Sequence, residues 1–118
     1  MKTICVDIDG TLVHYEKWQG DNHFGKLVPG AAEAMKKLKE KDWFIIIYTT
    51  RGNKEAVRKF LNENNIVYDS INENPYQPDN AIGGKLLADV YIDDRAITFD
   101  GNWQLIVDKI VSFKTWEQ

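Results

Sequence analysis

With 118 residues, 43% of them hydrophobic, the chain has the size and apolar share of a single globular domain spanning 1–118. Its 15 Lys and Arg and 18 Asp and Glu are interspersed and leave a formal charge of -3, without the basic stripe that tracks a phosphate backbone, so nucleic acid is not an expected partner. One cysteine excludes an internal disulfide framework or a cysteine-rich zinc site, and no stretch approaches bilayer length. The opening residues are too few for a signal sequence, so a cytoplasmic protein with no membrane partner is expected.

The first apolar run, Thr3 to Val6, predicts a strand covered on both faces, with Cys5 as small core filler. It leads directly into Asp7-Ile8-Asp9-Gly10-Thr11-Leu12. Residues i and i+2 of an extended segment project to one side, so Asp7 and Asp9 face one small volume while Gly10 lets the chain turn. Two neighbouring carboxylates call for a cation. Magnesium takes oxygen ligands and commonly sits between carboxylates and a substrate phosphate, so the segment points to phosphoryl transfer. A plain Asp-Gly surface turn would explain only Asp9 and Gly10.

The first helix is expected to open near Pro29, burying Ala31, Ala34, Met35 and Leu38. Trp43 to Tyr48 predicts a second strand, ending in Thr49-Thr50-Arg51-Gly52. Hydroxyls and free N–H groups at a helix start suit a phosphoryl oxygen, and helix capping explains the same residues equally well. Thr49 is favoured over Thr50 as the phosphate contact, and surface ion pairing is the competing reading of Arg51 and of Arg95. A second helix should follow Asn53, bury Ala56, Val57, Phe60 and Leu61, and stop at Asn64-Asn65.

Ile66 to Tyr68 could form an outer strand, and the Asn, Pro and Gly-rich stretch from Ser70 to Gly84 could form one wall of a site. Lys85 follows the flexible Gly83-Gly84 and could swing an ammonium group toward phosphoryl oxygens. The third strand, Ala88 to Ile92, runs into Asp93-Asp94-Arg95, a second acid pair able to complete a metal site. A last helix over Trp103 to Phe113 carries Trp103, Ile106, Val107 and Ile110 at helical spacing and is read as core packing. Strands alternating with helical segments predict an α/β fold with a mostly parallel central sheet flanked by helices.

Taken in order, Asp-x-Asp-Gly-Thr, an apolar strand ending in Thr, a Lys, and Asp-Asp after a strand, the chain resembles the haloacid dehalogenase superfamily from Thr3 to about Asp94. The resemblance implies a Rossmann-like three-layer α/β sandwich with a mostly parallel central sheet, in which the first-motif strand is central and the motifs meet at one end. It implies Asp7 as nucleophile of an aspartyl-phosphate, Asp9 as general acid and base, Thr49 as phosphate ligand and Lys85 as charge stabiliser. Gly10, Thr50 and Arg51 join the candidate phosphate contacts. Magnesium would be held by Asp7, the Asp9 backbone carbonyl and Asp93, with Asp94 in support.

An aspartate at the second motif position favours phosphate-ester hydrolysis over dehalogenation within that resemblance. Lys85 stands unusually close to Asp93, which leaves Lys54 as an alternative lysine, and no interval leaves room for a cap domain. A capless site needs a large substrate, a second subunit or a local loop to exclude water. The family's flap after the first motif would fall on His14 to Phe24, offering His14, Tyr15, Trp18 and His23 to substrate, with plain exposure or packing as the competing reading. The expected partner is thus a phosphorylated small molecule or macromolecule. Two rivals are a phosphate-binding or scaffold protein without turnover and a receiver-like phosphoacceptor. In a receiver the middle strand ends in the acceptor Asp, whereas here it ends in Thr49.

Overall fold

Continuous β-branched runs supply the strands of the computed structural model, which describes residues 1–118. β1 (Thr3–Val6), β2 (Phe44–Ile47), β3 (Ser70–Ile71) and β4 (Val90–Ile92) form one parallel sheet in the order β3-β2-β1-β4. β1 and β2 are buried almost throughout, which is why both read as unbroken apolar segments. In register, Val6 pairs with both Ile47 and Ile92, so the residues that follow, Asp7, Tyr48 and Asp93, emerge side by side at the carboxyl end. The chain adds β2 and β3 on one side of β1 and then returns to place β4 on the other. That reversal creates a crevice between β1 and β4, the position at which open α/β sheets bind ligands.

α1 (Ala31–Glu40) begins at the second residue after Pro29, because Gly30 holds a left-handed φ of 89° and cannot belong to the helix. Met35 is buried, whereas Ala34 is exposed and Ala32 takes its expected place against the core. α2 (Lys54–Glu63) follows its sequence pattern: Asn53 caps it by accepting from the Ala56 amide at 3.1 Å, and Ala56, Val57, Phe60 and Leu61 are all buried. The core joins these residues to Ile4, Val6, Ile8, Ile45 and Ile47.

Two expectations need correction. Ile66 to Tyr68 is not the outer strand: Ile66 turns into the core, and bonding to β2 begins at Asp69, whose amide donates to the Ile45 carbonyl at 2.8 Å and whose carboxylate accepts from the Ile45 amide at 2.7 Å. The edge strand is therefore β3, beginning at Ser70. The packing expected of the last helix, α3 (Trp103–Val111), is also absent: only Ile106 is buried, while Trp103 is 71% and Val111 83% exposed. Helical spacing identified an apolar helix, and such a face is equally compatible with contacts that the chain itself does not supply. No helix is long and apolar enough to cross a membrane.

Candidate active site

The carboxylates of Asp7, Asp93 and Asp94 lie within 4.8 Å of one another at the β1/β4 crevice. Each owes its place to a strand end. Asp7 donates its amide to the Ile92 carbonyl at 3.0 Å, extending the β1–β4 ladder by one bond. Asp93 accepts from the Arg95 amide at 2.8 Å, which fixes the turn after β4. Asp94 lies against the bare backbone of Gly10, where an added Cβ would come within 2.2 Å of its Oδ2; with a φ of +85°, Gly10 is a position that only glycine fills without strain.

This arrangement is electrostatically incomplete. Burial is the largest cause, followed by Asp93, that pushes the Asp7 carboxyl from its ordinary 3.8 up to about 7; Asp94 and Asp9 add to the rise, and a hydrogen bond from the Ile8 backbone opposes it. Burial, with a smaller contribution from Asp93, also raises Asp94, whose Oδ1 is buried without a hydrogen-bond partner. Oxygen donors at this spacing, crowded and short of positive charge, fit one hard divalent cation. The three carboxylates are close enough to share it.

Asp9 is engaged elsewhere. Its two oxygens accept from Arg51 Nε and Nη2, both at 2.8 Å, in a bidentate pair with side-chain exposures of 18% for Asp9 and 4% for Arg51. Arg51 was expected at the surface or on a phosphate; instead its guanidinium is buried. It donates to the carbonyls of His23 at 2.9 Å and Asp21 at 3.4 Å and lies over the rings of Phe24 and Trp18.

The main cleft, about 540 Å³, is lined by Asp7, Asp9, Thr50, Arg51, Asp93 and Arg95, with Tyr15, Trp18, Asp21 and Gly52 completing the wall. Of the two threonines, Thr50 lines this cleft, whereas the Thr49 hydroxyl accepts from the Arg51 amide at 3.1 Å. Neither candidate lysine lines it. Lys85 Nζ lies 5.2 Å from the Tyr91 ring centre, and Lys54 Nζ is 3.3 Å from Glu73 Oε1. Residues 14–24 form an irregular loop rather than a strand-and-turn flap, closed at its base where the His14 amide donates to the Lys26 carbonyl at 2.8 Å. Tyr15 and Trp18 reach the main cleft, while His14 and His23 line a neighbouring hollow.

Sequence reasoning missed two supports. Asn72, directly after β3 and in the left-handed region at φ 54°, accepts from the Thr49 amide at 2.9 Å and donates to the Thr49 carbonyl at 3.0 Å. No local signal marked it, because it follows β3, a two-residue strand that the sequence pattern does not announce. From the Ser70 to Gly84 stretch, no residue lines the main cleft, so this is the extent of its contribution. At the other support, Trp116 Nε1 donates to the Gly10 carbonyl at 2.7 Å and Glu117 accepts from His14 Nδ1 and the Tyr15 amide, contacts that no local pattern announces.

No family model matches the chain, and no curated protein matches it either. Among solved structures it is similar to a conserved protein of Bacteroides thetaiotaomicron, with 27% identity and a TM-score of 0.67 over 98% of this chain and 93% of that one. It also matches, partially, the D,D-heptose 1.7-bisphosphate phosphatase of B. bronchiseptica, solved with magnesium and phosphate: 21% identity, TM-score 0.47, 72% of this chain and 56% of that one. The second match is too distant to bear on function. With the first-motif strand inside a parallel sheet and Asp7, Thr50 and Asp93 gathered at one end of it, the chain has the open parallel α/β architecture that its sequence predicts.

Proposed function

We propose that the chain is a magnesium-dependent phosphatase that hydrolyses a phosphate monoester through an aspartyl-phosphate on Asp7. The observation that carries this reading is the convergence of Asp7, Asp93 and Asp94 within 4.8 Å at the topological switch point, with Asp7 short of compensating positive charge. Asp7, Asp93 and Asp94, with the Asp9 backbone carbonyl, would hold the ion. When bound, magnesium neutralises the carboxylates and polarises the phosphoryl oxygens.

An Asp7 oxygen attacks phosphorus in line, the ester P–O bond breaks, and the leaving oxygen takes a proton from Asp9. Water then attacks the phosphorus, passes a proton to Asp9, and frees phosphate and the Asp7 carboxylate. Thr50, whose residue lines the cleft, is the hydroxyl assigned to a phosphoryl oxygen. Thr49 supports that turn through Asn72. Lys85 has no carboxylate partner, and the glycines before it let it move, so it is the lysine assigned to the phosphoryl charge; Lys54 is paired with Glu73.

One observation favours a second reading, phosphate binding without turnover: both Asp9 oxygens are occupied by Arg51. A phosphate-release screen over sugar phosphates, nucleotides, aryl phosphates and phosphopeptides, with and without magnesium, separates the two. Magnesium-dependent catalytic release from at least one class is expected. Phosphate binding without multiple turnovers for any class would select the second reading.

A further inference from the structure

The environment of Arg51 links two parts of the site that are separate in sequence. On one side its guanidinium grips Asp9 through two 2.8 Å bonds. On the other it is enclosed by residues 18–24: two carbonyls accept from it, the Phe24 ring lies 3.9 Å away and the Trp18 ring 4.9 Å away. Phe24 in turn stacks on Phe60 of α2, with ring centres 4.1 Å apart and planes within 8° of parallel. A solid helix, a loop, a cation and a carboxylate therefore form one continuous stack.

The loop is built to be carried by this stack. Its ends are fixed by the His14–Lys26 bond and by Gly25, where a Cβ would meet the His14 carbonyl at 1.9 Å. Gly20, at φ +101°, gives the tip its reversal. Asp9 makes no hydrogen bond to the loop itself. The side-chain link between them runs through Arg51.

We propose that Arg51 is a positioning residue that couples the 14–25 loop to Asp9, so that the placement of the loop over the cleft and the direction of the Asp9 carboxylate change together. The planar fork is required. It satisfies two carboxylate oxygens and two carbonyls while presenting flat faces to the aromatic rings, a set of contacts that a lysine ammonium cannot reproduce. Movement of the loop would withdraw the carbonyls that hold the guanidinium and release Asp9 toward the phosphoryl group; Trp18, on the cleft wall, would move with it. The catalytic consequence rests on the acid and base role proposed for Asp9, while the mechanical coupling does not.

Hydrogen exchange on the full chain, read at the amides of residues 15–24, tests the coupling without reference to activity. Arg51→Lys is expected to speed exchange there by roughly tenfold or more. Asp9→Asn, which alters only the far end of the stack, is expected to speed the same amides, and it serves if Arg51→Lys does not fold. Phe24→Leu, outside the main cleft, is expected to lower kcat by several-fold (~3–10,) on an active ester with KM nearly unchanged. Unchanged loop exchange in Asp9→Asn, or a Phe24→Leu effect confined to KM, overturns the proposal. Should no ester be hydrolysed while Asp9→Asn still loosens the loop, the coupling stands and the phosphatase reading fails.

Discussion

Asp7→Asn is expected to lower magnesium-dependent phosphate release by at least roughly a thousandfold, because it removes the atom that bonds to phosphorus while changing little in volume. Its effect on folding should have the opposite sign. Asp7 is held in a site that disfavours its charge, through burial first and Asp93 second, so an uncharged amide relieves the metal-free protein at any pH where Asp7 would be ionised. At pH 8, without divalent ions, the variant should melt above the wild-type chain and gain less from added magnesium. Steady-state release and thermal melts on the same preparations check both halves. Residual turnover within tenfold of the wild type would remove Asp7 as nucleophile.

The wild-type protein should show a pH dependence of unusual sign for an aspartate. The folded state raises the Asp7 carboxyl from 3.8 to about 7, so it binds the proton more tightly than the unfolded chain does. The resulting stabilisation is fully present below the unfolded value of 3.8 and is lost as pH rises through about 7. Asp94 is displaced in the same direction. Metal-free protein is thus expected to lose stability from this source between pH 4 and 8.

Magnesium reverses that trend, because it takes the place of the proton among the same oxygens. The melting-temperature gain from a fixed magnesium concentration should be larger at pH 8 than at pH 5. At a concentration about a hundred times the dissociation constant, the stabilisation reaches roughly 2.7 kcal/mol. Differential scanning calorimetry over pH 5–8 with and without magnesium measures it. A magnesium increment independent of pH would place the ion away from Asp7.

Much of the sheet was legible because β1 and β2 are buried on both faces and therefore read as unbroken apolar runs. α2 was legible for another reason: its cap, buried stripe and terminating asparagines agree with one another. The short edge was not. β3 has two residues, and its pairing begins where Asp69 holds the Ile45 amide, a tertiary contact without a local signature. α3 was recognisable as a helix, yet periodicity records that a face is apolar, not what covers it.

At the site, the acids could be read from strand ends, since a parallel sheet delivers successive strand ends to one edge. The partner of Asp9 could not. Arg51 lies 42 positions away, and only the folded loop turns that basic residue from a surface candidate into a buried clamp. Asn72 and Trp116 act through the backbone of Thr49 and Gly10, where any hydrogen-bonding side chain of the right reach would serve.

Crystals grown with manganese in place of magnesium, measured at an energy where manganese scatters anomalously, would locate the ion on which the chemistry depends. The expected result is one peak within coordination distance of oxygens from both Asp7 and Asp93, at the β1/β4 crevice. A fully occupied peak elsewhere, with none between those two aspartates, would contradict the site and the reaction built on it.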